Sequence, residues 1–139
     1  MPWGLPLDII KEDDRLQELD QGEWVGRVRE EIYTDEVRAE MEALDVDFKA
    51  SGGTSTSMRE TGGHMFAALE DIADGGVEQE TPEDVLVFGH GVAIRCLVGH
   101  IRGWGREQIY KAKTPNTSET LVTRRKGLWA VEYIGAMPN

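Results

Sequence analysis

The chain has 139 residues, with 15 Lys and Arg against 26 Asp and Glu, a formal charge of −11. At 40% hydrophobic and 29% charged residues it has the composition of one globular domain, not of a disordered tail or a fibre. The negative field argues against nucleic acid as a partner, and the single cysteine, Cys96, excludes an internal disulfide framework and a multi-cysteine zinc site.

In chain order, Leu5 to Ile10 reads as a short extended segment. The stretch DDRLQELDQGEWVGR fits neither helical nor strand periodicity and reads as an ordered loop, with Gly22 and Gly26 bracketing Trp24. From Arg27 to Leu44 the apolar positions Val28, Ile32, Val37, Met41 and Leu44 recur at helical spacing with a defect near Tyr33 and Thr34, which predicts one helix or two short ones. Ala50 to Ser57 is small and polar, a surface loop. Met65, Phe66, Leu69 and Ile72 form the stripe of a further helix that ends near Asp74–Gly76, followed by the acidic link VEQETPED.

Val85 to Phe88 is a continuous apolar run, the pattern of a strand buried on both faces of a parallel sheet, and it stops at Gly89-His90-Gly91. Val92, Ile94, Leu97, Val98 and Ile101 then predict a buried helix closing at Gly103. ETLVTR and LWAVEYI flank Arg125-Lys126-Gly127 as the strands of a hairpin. The order of elements predicts an α/β fold in a single domain over 1–139. No run is apolar enough to cross a bilayer, and the opening MPWGLPLDII lacks the features of a signal peptide. The expected address is therefore the cytosol, with no membrane partner.

Charge is uneven. Asp8 to Asp47 holds 15 acidic and 5 basic residues, whereas Arg95 to Lys126 holds 8 basic and 2 acidic. These are either two solvated surfaces or, for the second, a cationic rim for a small anion. A strand that turns through GHG into a helix directs free N–H groups and a positive dipole end at one spot, a phosphate site with His90 at its edge and Gly89 and Gly91 permitting close approach. The bland alternative is a histidine that caps local backbone. GHGVAI also offers two glycines of a dinucleotide fingerprint, but its third position is Ile94. Cys96 and His100 stand four apart, as metal ligands do, yet without a third ligand nearby in an apolar helix they read as a buried thiol and a last-turn histidine. No cofactor or metal is expected. Glu18, in the loop before Trp24, is a proton carrier only if that loop desolvates it; any one of 26 acids is otherwise solvated surface.

LQELDQGEWVG, the GGTS loop, VLVFGHGVAIRCLVGHI and PNTSETL, in this order, resemble the second half of the histidine phosphatase (phosphoglycerate-mutase-like) superfamily, from about Asp14 to Tyr133. The resemblance implies an α/β fold with a mainly parallel central sheet flanked by helices. It also implies metal-independent phosphomonoester hydrolysis or phosphoryl transfer through a phosphohistidine. By the same resemblance, His90 contacts the phosphoryl oxygens, Glu18 protonates the leaving oxygen, and Asn116, Thr117 and Ser118 border the pocket. Thr54 stands where many members have glutamate, and His64 where an arginine is common. The family's opening Arg-His-Gly, which carries the nucleophile, has no counterpart among His64, His90 and His100. The domain is thus expected to be incomplete on its amino-terminal side. Its ligand is phosphate or a phosphorylated small molecule, and its partner is a second copy or a complementing amino-terminal polypeptide. Either catalysis is impaired or dependent on the missing half, or the chain is a non-catalytic phosphate-binding or interaction module, or His90 has become the nucleophile with Arg95 compensating for lost arginines.

Overall fold

The computed structural model describes residues 7–75 and 84–138. Its helices are α1 (Arg29–Ile32), α2 (Asp35–Leu44), α3 (Met58–Gly75), α4 (Gly91–Arg102) and α5 (Arg106–Lys111), followed by a hairpin of β1 (Glu119–Arg125) and β2 (Leu128–Ala136). Short 3-10 turns at Leu7–Ile9, Asp14–Leu16, Gly22–Trp24 and Asp45–Asp47 connect the rest. Leu7–Ile9 is such a turn where an extended segment was expected; Leu5 and Pro6 lie outside the described residues, as does the acidic link apart from Asp84. No helix among the described residues is long and apolar enough to cross a membrane.

The helical defect at Tyr33 and Thr34 is a true break. Thr34 ends α1's trajectory and starts α2, its Oγ1 accepting from the Val37 N–H at 3.2 Å. Helix α3 begins seven residues before its apolar stripe, at Met58. Ser57 Oγ accepts from the Glu60 N–H at 3.0 Å, and Ser-x-x-Glu is the sequence signature of a capped helix start. Helix α4 closes at Gly103 as its sequence predicts, with a left-handed residue at φ +72° and the Trp104 N–H reaching the Gly99 carbonyl at 2.9 Å.

The core lies between α3 and α4. Met65 and Leu69 pack on Ala93 and Leu97, with Leu16, Val87, Val122 and Trp129 closing the cluster. A second cluster joins Met58, Cys96 and Ile109. Small residues set the helix separation: a Cβ on Gly62 would run into the Cys96 carbonyl, and one on Gly99 would meet the Ile109 side chain. The hairpin docks on α3 by the Trp129 indole N–H, which donates to Glu70 Oε1 at 2.7 Å, and by Arg124, which reaches Asp74 at 2.7 Å. Its two-residue turn, Lys126 at φ +52° and Gly127 at φ +77°, is the primed geometry that matches strand twist.

Two expectations are corrected here. The described residues contain one two-stranded antiparallel sheet and no parallel one. Residues 84–90 form no strand, with Val85 53%, Leu86 78% and Phe88 82% exposed. A parallel strand needs neighbours on its edges and layers on its faces. Val87 alone finds a layer, on the α3–α4 core. Nor is Ala50–Ser57 wholly a surface loop: residues 51–54 are exposed, but Ala50, Ser55 and Ser57 are buried.

Cys96 is buried, and burial, reinforced by the nearby Glu18 carboxylate, pushes its thiol up to about 12. It should resist alkylation by iodoacetamide at pH 8 until the chain is unfolded in denaturant, as followed by mass spectrometry. Replacing Gly62 by Ala gains about 1 kcal/mol of helix propensity. It forces α3 away from a backbone carbonyl that cannot rotate aside, at a cost of about 1–3 kcal/mol. The expected net effect is a lower urea midpoint for Gly62→Ala, whereas Gly63→Ala, which meets open space, should hold or raise it.

Candidate active site

Every helix leaves its first N–H groups without intrahelical partners. At α4 they are taken by a residue 74 positions earlier: Glu18 Oε2 accepts from the Val92 N–H at 3.1 Å and Oε1 from the Ala93 N–H at 2.7 Å. Oε1 also accepts from the Leu19 N–H at 2.8 Å. The amides read from sequence as a phosphate cradle therefore hold the protein's own carboxylate. The reason is physical: a helix start attracts any anion within reach, and the Asp14–Trp24 loop delivers one.

That loop is fixed from behind by the GGTS segment. The Asp20 N–H donates to Thr56 Oγ1 and the Thr56 N–H to the Asp20 carbonyl, both at 2.9 Å, and the Glu23 N–H reaches the Ser51 carbonyl at 2.8 Å. Gly22, at φ +54°, lies so close to the Ser51 carbonyl that a side chain has no room. Arg15 holds the near end, donating to Asp13 and to Asp71 of α3. In return the Arg15 guanidinium holds the Asp13 carboxyl down at about 2.

His90 occupies the position before α4 with an extended backbone (φ −114°, ψ 154°), and its side chain makes no capping hydrogen bond. It is exposed, so the reading of a histidine tied to local backbone does not hold. Gly91 is where a side chain would crowd Thr114, whose hydroxyl donates to the Gly91 carbonyl at 2.9 Å; Gly89 has only ordinary contacts there, with Ile94 and Met65. Thr114 thereby ties the 116–118 turn to the start of α4. Asn116 and Thr117 are exposed and Ser118 half-buried, with Thr117 in the left-handed region at φ +66°, a conformation that costs a non-glycine residue energy.

Arg95 points along the same connection. One guanidinium nitrogen donates to the Ala112 carbonyl at 3.2 Å, and its buried Nε has no partner among the described residues. Of the two readings of the basic stretch from Arg95 to Lys126, a cationic rim at the turn is not what four of its members form. Arg102 donates to the Val131 carbonyl, Arg106 lies over the Phe48 ring, Lys111 pairs with Glu107, and Arg124 serves the hairpin. Charge counted along the chain says nothing about which face a helix or hairpin turns outward.

Glu18 lines two neighbouring depressions. One, of about 490 Å³, is bordered by Leu19, Gln21, Val25 and Val92. The other, of about 300 Å³, is bordered by Asp14, Thr54, Thr56, Thr61 and His64. His90 lines neither. Thr56 and Thr61, hydroxyl to hydroxyl at 3.2 Å, went unmarked in the sequence; the signal was Thr61 and His64 three apart on α3, one turn from the GGTS loop. Cys96 and His100 do not converge: the thiol is buried against Met58 and Ile109, while His100 is exposed with its ring on Phe66 at 4.7 Å.

No curated protein and no solved structure matches this chain. A family model does, over residues 4–136, a span that includes Glu18 on the α4 amides, His90 before them and the 116–118 turn. On that match the chain belongs to the histidine phosphatase superfamily (branch 1).

Proposed function

We propose that this chain supplies the proton donor and an oxygen-contacting histidine of a metal-independent phosphomonoester hydrolase or phosphoryl-transfer site, acting in the cytosol on a phosphorylated small molecule. The observation that carries this reading is the Glu18 carboxylate held on the first amides of α4, beside His90. Oε1 is committed to two N–H donors and Oε2 to one, so Oε2 keeps a free lone pair for a proton. When that proton passes to the leaving oxygen, the carboxylate that remains is stabilised by the helix start. His90, unencumbered by local bonds, donates to a phosphoryl oxygen. Gly89 and Gly91 keep side chains off the approach, and Asn116, Thr117 and Ser118 border it through the Thr114 tie. Arg95 serves by holding that border, not by gripping phosphate.

Phosphoryl transfer through a phosphohistidine needs a nucleophilic imidazole in line with the leaving oxygen. In this reading it comes from a complementing amino-terminal polypeptide, whose strand beside Val85–Phe88 would build the parallel sheet. The chain by itself then turns over slowly. One observation favours a second reading, a non-catalytic phosphate-binding or interaction module: His90 lines neither depression that Glu18 lines.

Titration calorimetry with orthovanadate tests the shared element. His90→Ala should weaken binding by tenfold or more, the scale of about 1.4 kcal/mol or more for a hydrogen bond to a charged group; unchanged affinity overturns both readings. For catalysis, hydrolysis of p-nitrophenyl phosphate by the isolated chain should fall well below an intact enzyme's typical turnover of about 1–1000 per second, and a rate in that range would refute dependence on a second polypeptide. In whatever turnover is seen, Glu18→Gln should slow alkyl phosphates, which have poor leaving groups, by about 100-fold more than p-nitrophenyl phosphate. Equal slowing of both esters would assign Glu18 to structure alone.

A further inference from the structure

Arg106 and Tyr110 stand four apart on one face of α5. The Tyr110 hydroxyl accepts from Arg29 Nη2 at 2.9 Å, and the Arg29 guanidinium lies 5.2 Å from the centre of the Tyr33 ring. Tyr33 packs on Trp24 at 5.7 Å between ring centres, and Trp24 on Phe48 at 5.6 Å. The circuit closes at Phe48, where the Arg106 guanidinium lies over the ring at 5.2 Å. Segments far apart in the chain thus bring two arginines onto one aromatic cluster. None of these six residues lines either depression beside Glu18.

Arg15, Arg27, Arg59 and Arg124 all pair with carboxylates. Arg29 and Arg106 form no ion pair among the described residues, in a chain that carries 26 acids. Arg106 bonds a described residue only through its backbone N–H, which donates to Asp45 Oδ1 at 3.0 Å. Asp45 thus spends that oxygen on the α5 backbone and not on the guanidinium. Arg106 is half-buried and Arg29 exposed. Burial pulls the Arg106 guanidinium below its ordinary value, against the opposing pull of Tyr33 and Asp45. The acids close to the pair are Glu30 beside Arg29 and Asp45 beside Arg106. A cation drawn out of water without an acceptor costs free energy, and an incoming oxyanion offsets that cost.

From this convergence we infer that Arg29 and Arg106 bind a dianionic oxyanion of the phosphate class, free or as a phosphomonoester group, at a site separate from Glu18 and His90. A guanidinium presents paired N–H donors in a plane that matches two oxygens of such a group. The guanidinium donors of Arg106 are open, and Arg29 spends one of its own on Tyr110. Phe48 and Tyr33 hold the two guanidinium groups in place by cation–π contact, so less side-chain freedom is lost when the anion arrives. Two positive charges match a dianion better than a single carboxylate, and the aromatic surroundings strengthen the attraction by lowering the local dielectric. The site does not depend on the phosphoryl-transfer reading.

The side-chain Nε–H signals of Arg29 and Arg106 in proton–nitrogen NMR spectra of the full chain read the site directly. Inorganic phosphate, titrated at an ionic strength held constant with sodium chloride, should move both signals along one saturating curve. Arg106→Gln, followed through the Arg29 signal, should weaken binding about tenfold or more, the scale of a hydrogen bond to a charged group. Arg29→Gln, followed through Arg106, should do the same. Arg29 is exposed, so its variant carries the test if Arg106→Gln disturbs the fold seen by circular dichroism. Arg29→Lys keeps the charge and loses the planar fork, and should bind between the two. His90→Ala should leave the curve unchanged. Signals that stay still or drift without saturating would overturn the inference, as would an affinity indifferent to both Gln variants. Acetate bound as tightly as phosphate would overturn the dianion, and loss of the curve in His90→Ala would assign the phosphate to the Glu18 site instead.

Discussion

The contact between the Glu18 carboxylate and the opening amides of α4 organises the rest of the site. A helix start presents unpaired donors and the positive end of a dipole. The residue before this one, His90, contributes no side-chain cap. Glu18 does so from across the molecule, and the consequence reaches outward. The Asp14–Trp24 loop must lie against α4, which brings Leu16 into the α3–α4 core and Leu19 onto the Cys96 cluster. The GGTS loop must back it, through paired bonds between Asp20 and Thr56. His90 is left with its ring free because its capping duty has been taken by another residue.

Close helix packing supplies the rigidity this arrangement needs. Gly62 lets α3 approach the backbone of α4 at Cys96, and Gly99 lets Ile109 of α5 seat against α4. Helix α4, on whose start Glu18 docks, is therefore packed closely against both α3 and α5. The hairpin stands outside this centre, held by Trp129 on Glu70 and Arg124 on Asp74. The 112–116 connection ties it to the start of α4, through Arg95 on the Ala112 carbonyl and Thr114 on the Gly91 carbonyl.

Phe88 and Leu86, two and four residues before His90, are exposed. A residue at the mouth of a sheet is walled by the strands beside it, and here the run that should be walled is open along both edges among the described residues. His90 borders neither of the depressions that Glu18 lines. The depressions beside Glu18 are built by the Asp14–Trp24 loop, the GGTS loop and α3.

Local chemistry was legible in the amino-acid sequence wherever a signal is short-range. The break at Thr34, the left-handed close of α4 at Gly103, the Lys126–Gly127 turn and the buried thiol of Cys96 all follow from residue type and spacing. So did family membership, because four ordered motifs span most of the chain. What the tertiary structure decided is every question of partner. An apolar run announces that it prefers burial, but burial needs a neighbour, and Val85–Phe88 finds one only at Val87. A helix start announces that it binds an anion, but which anion depends on the loops that reach it, and Glu18 arrives first. A count of basic residues fixes a sum of charge and leaves its direction to the packing, which sends Arg102, Arg106 and Arg124 to other faces. Periodicity and turn chemistry act over a few residues and are written in order along the chain; contact, shielding and charge placement act between segments far apart in that order, and exist only once the chain is folded.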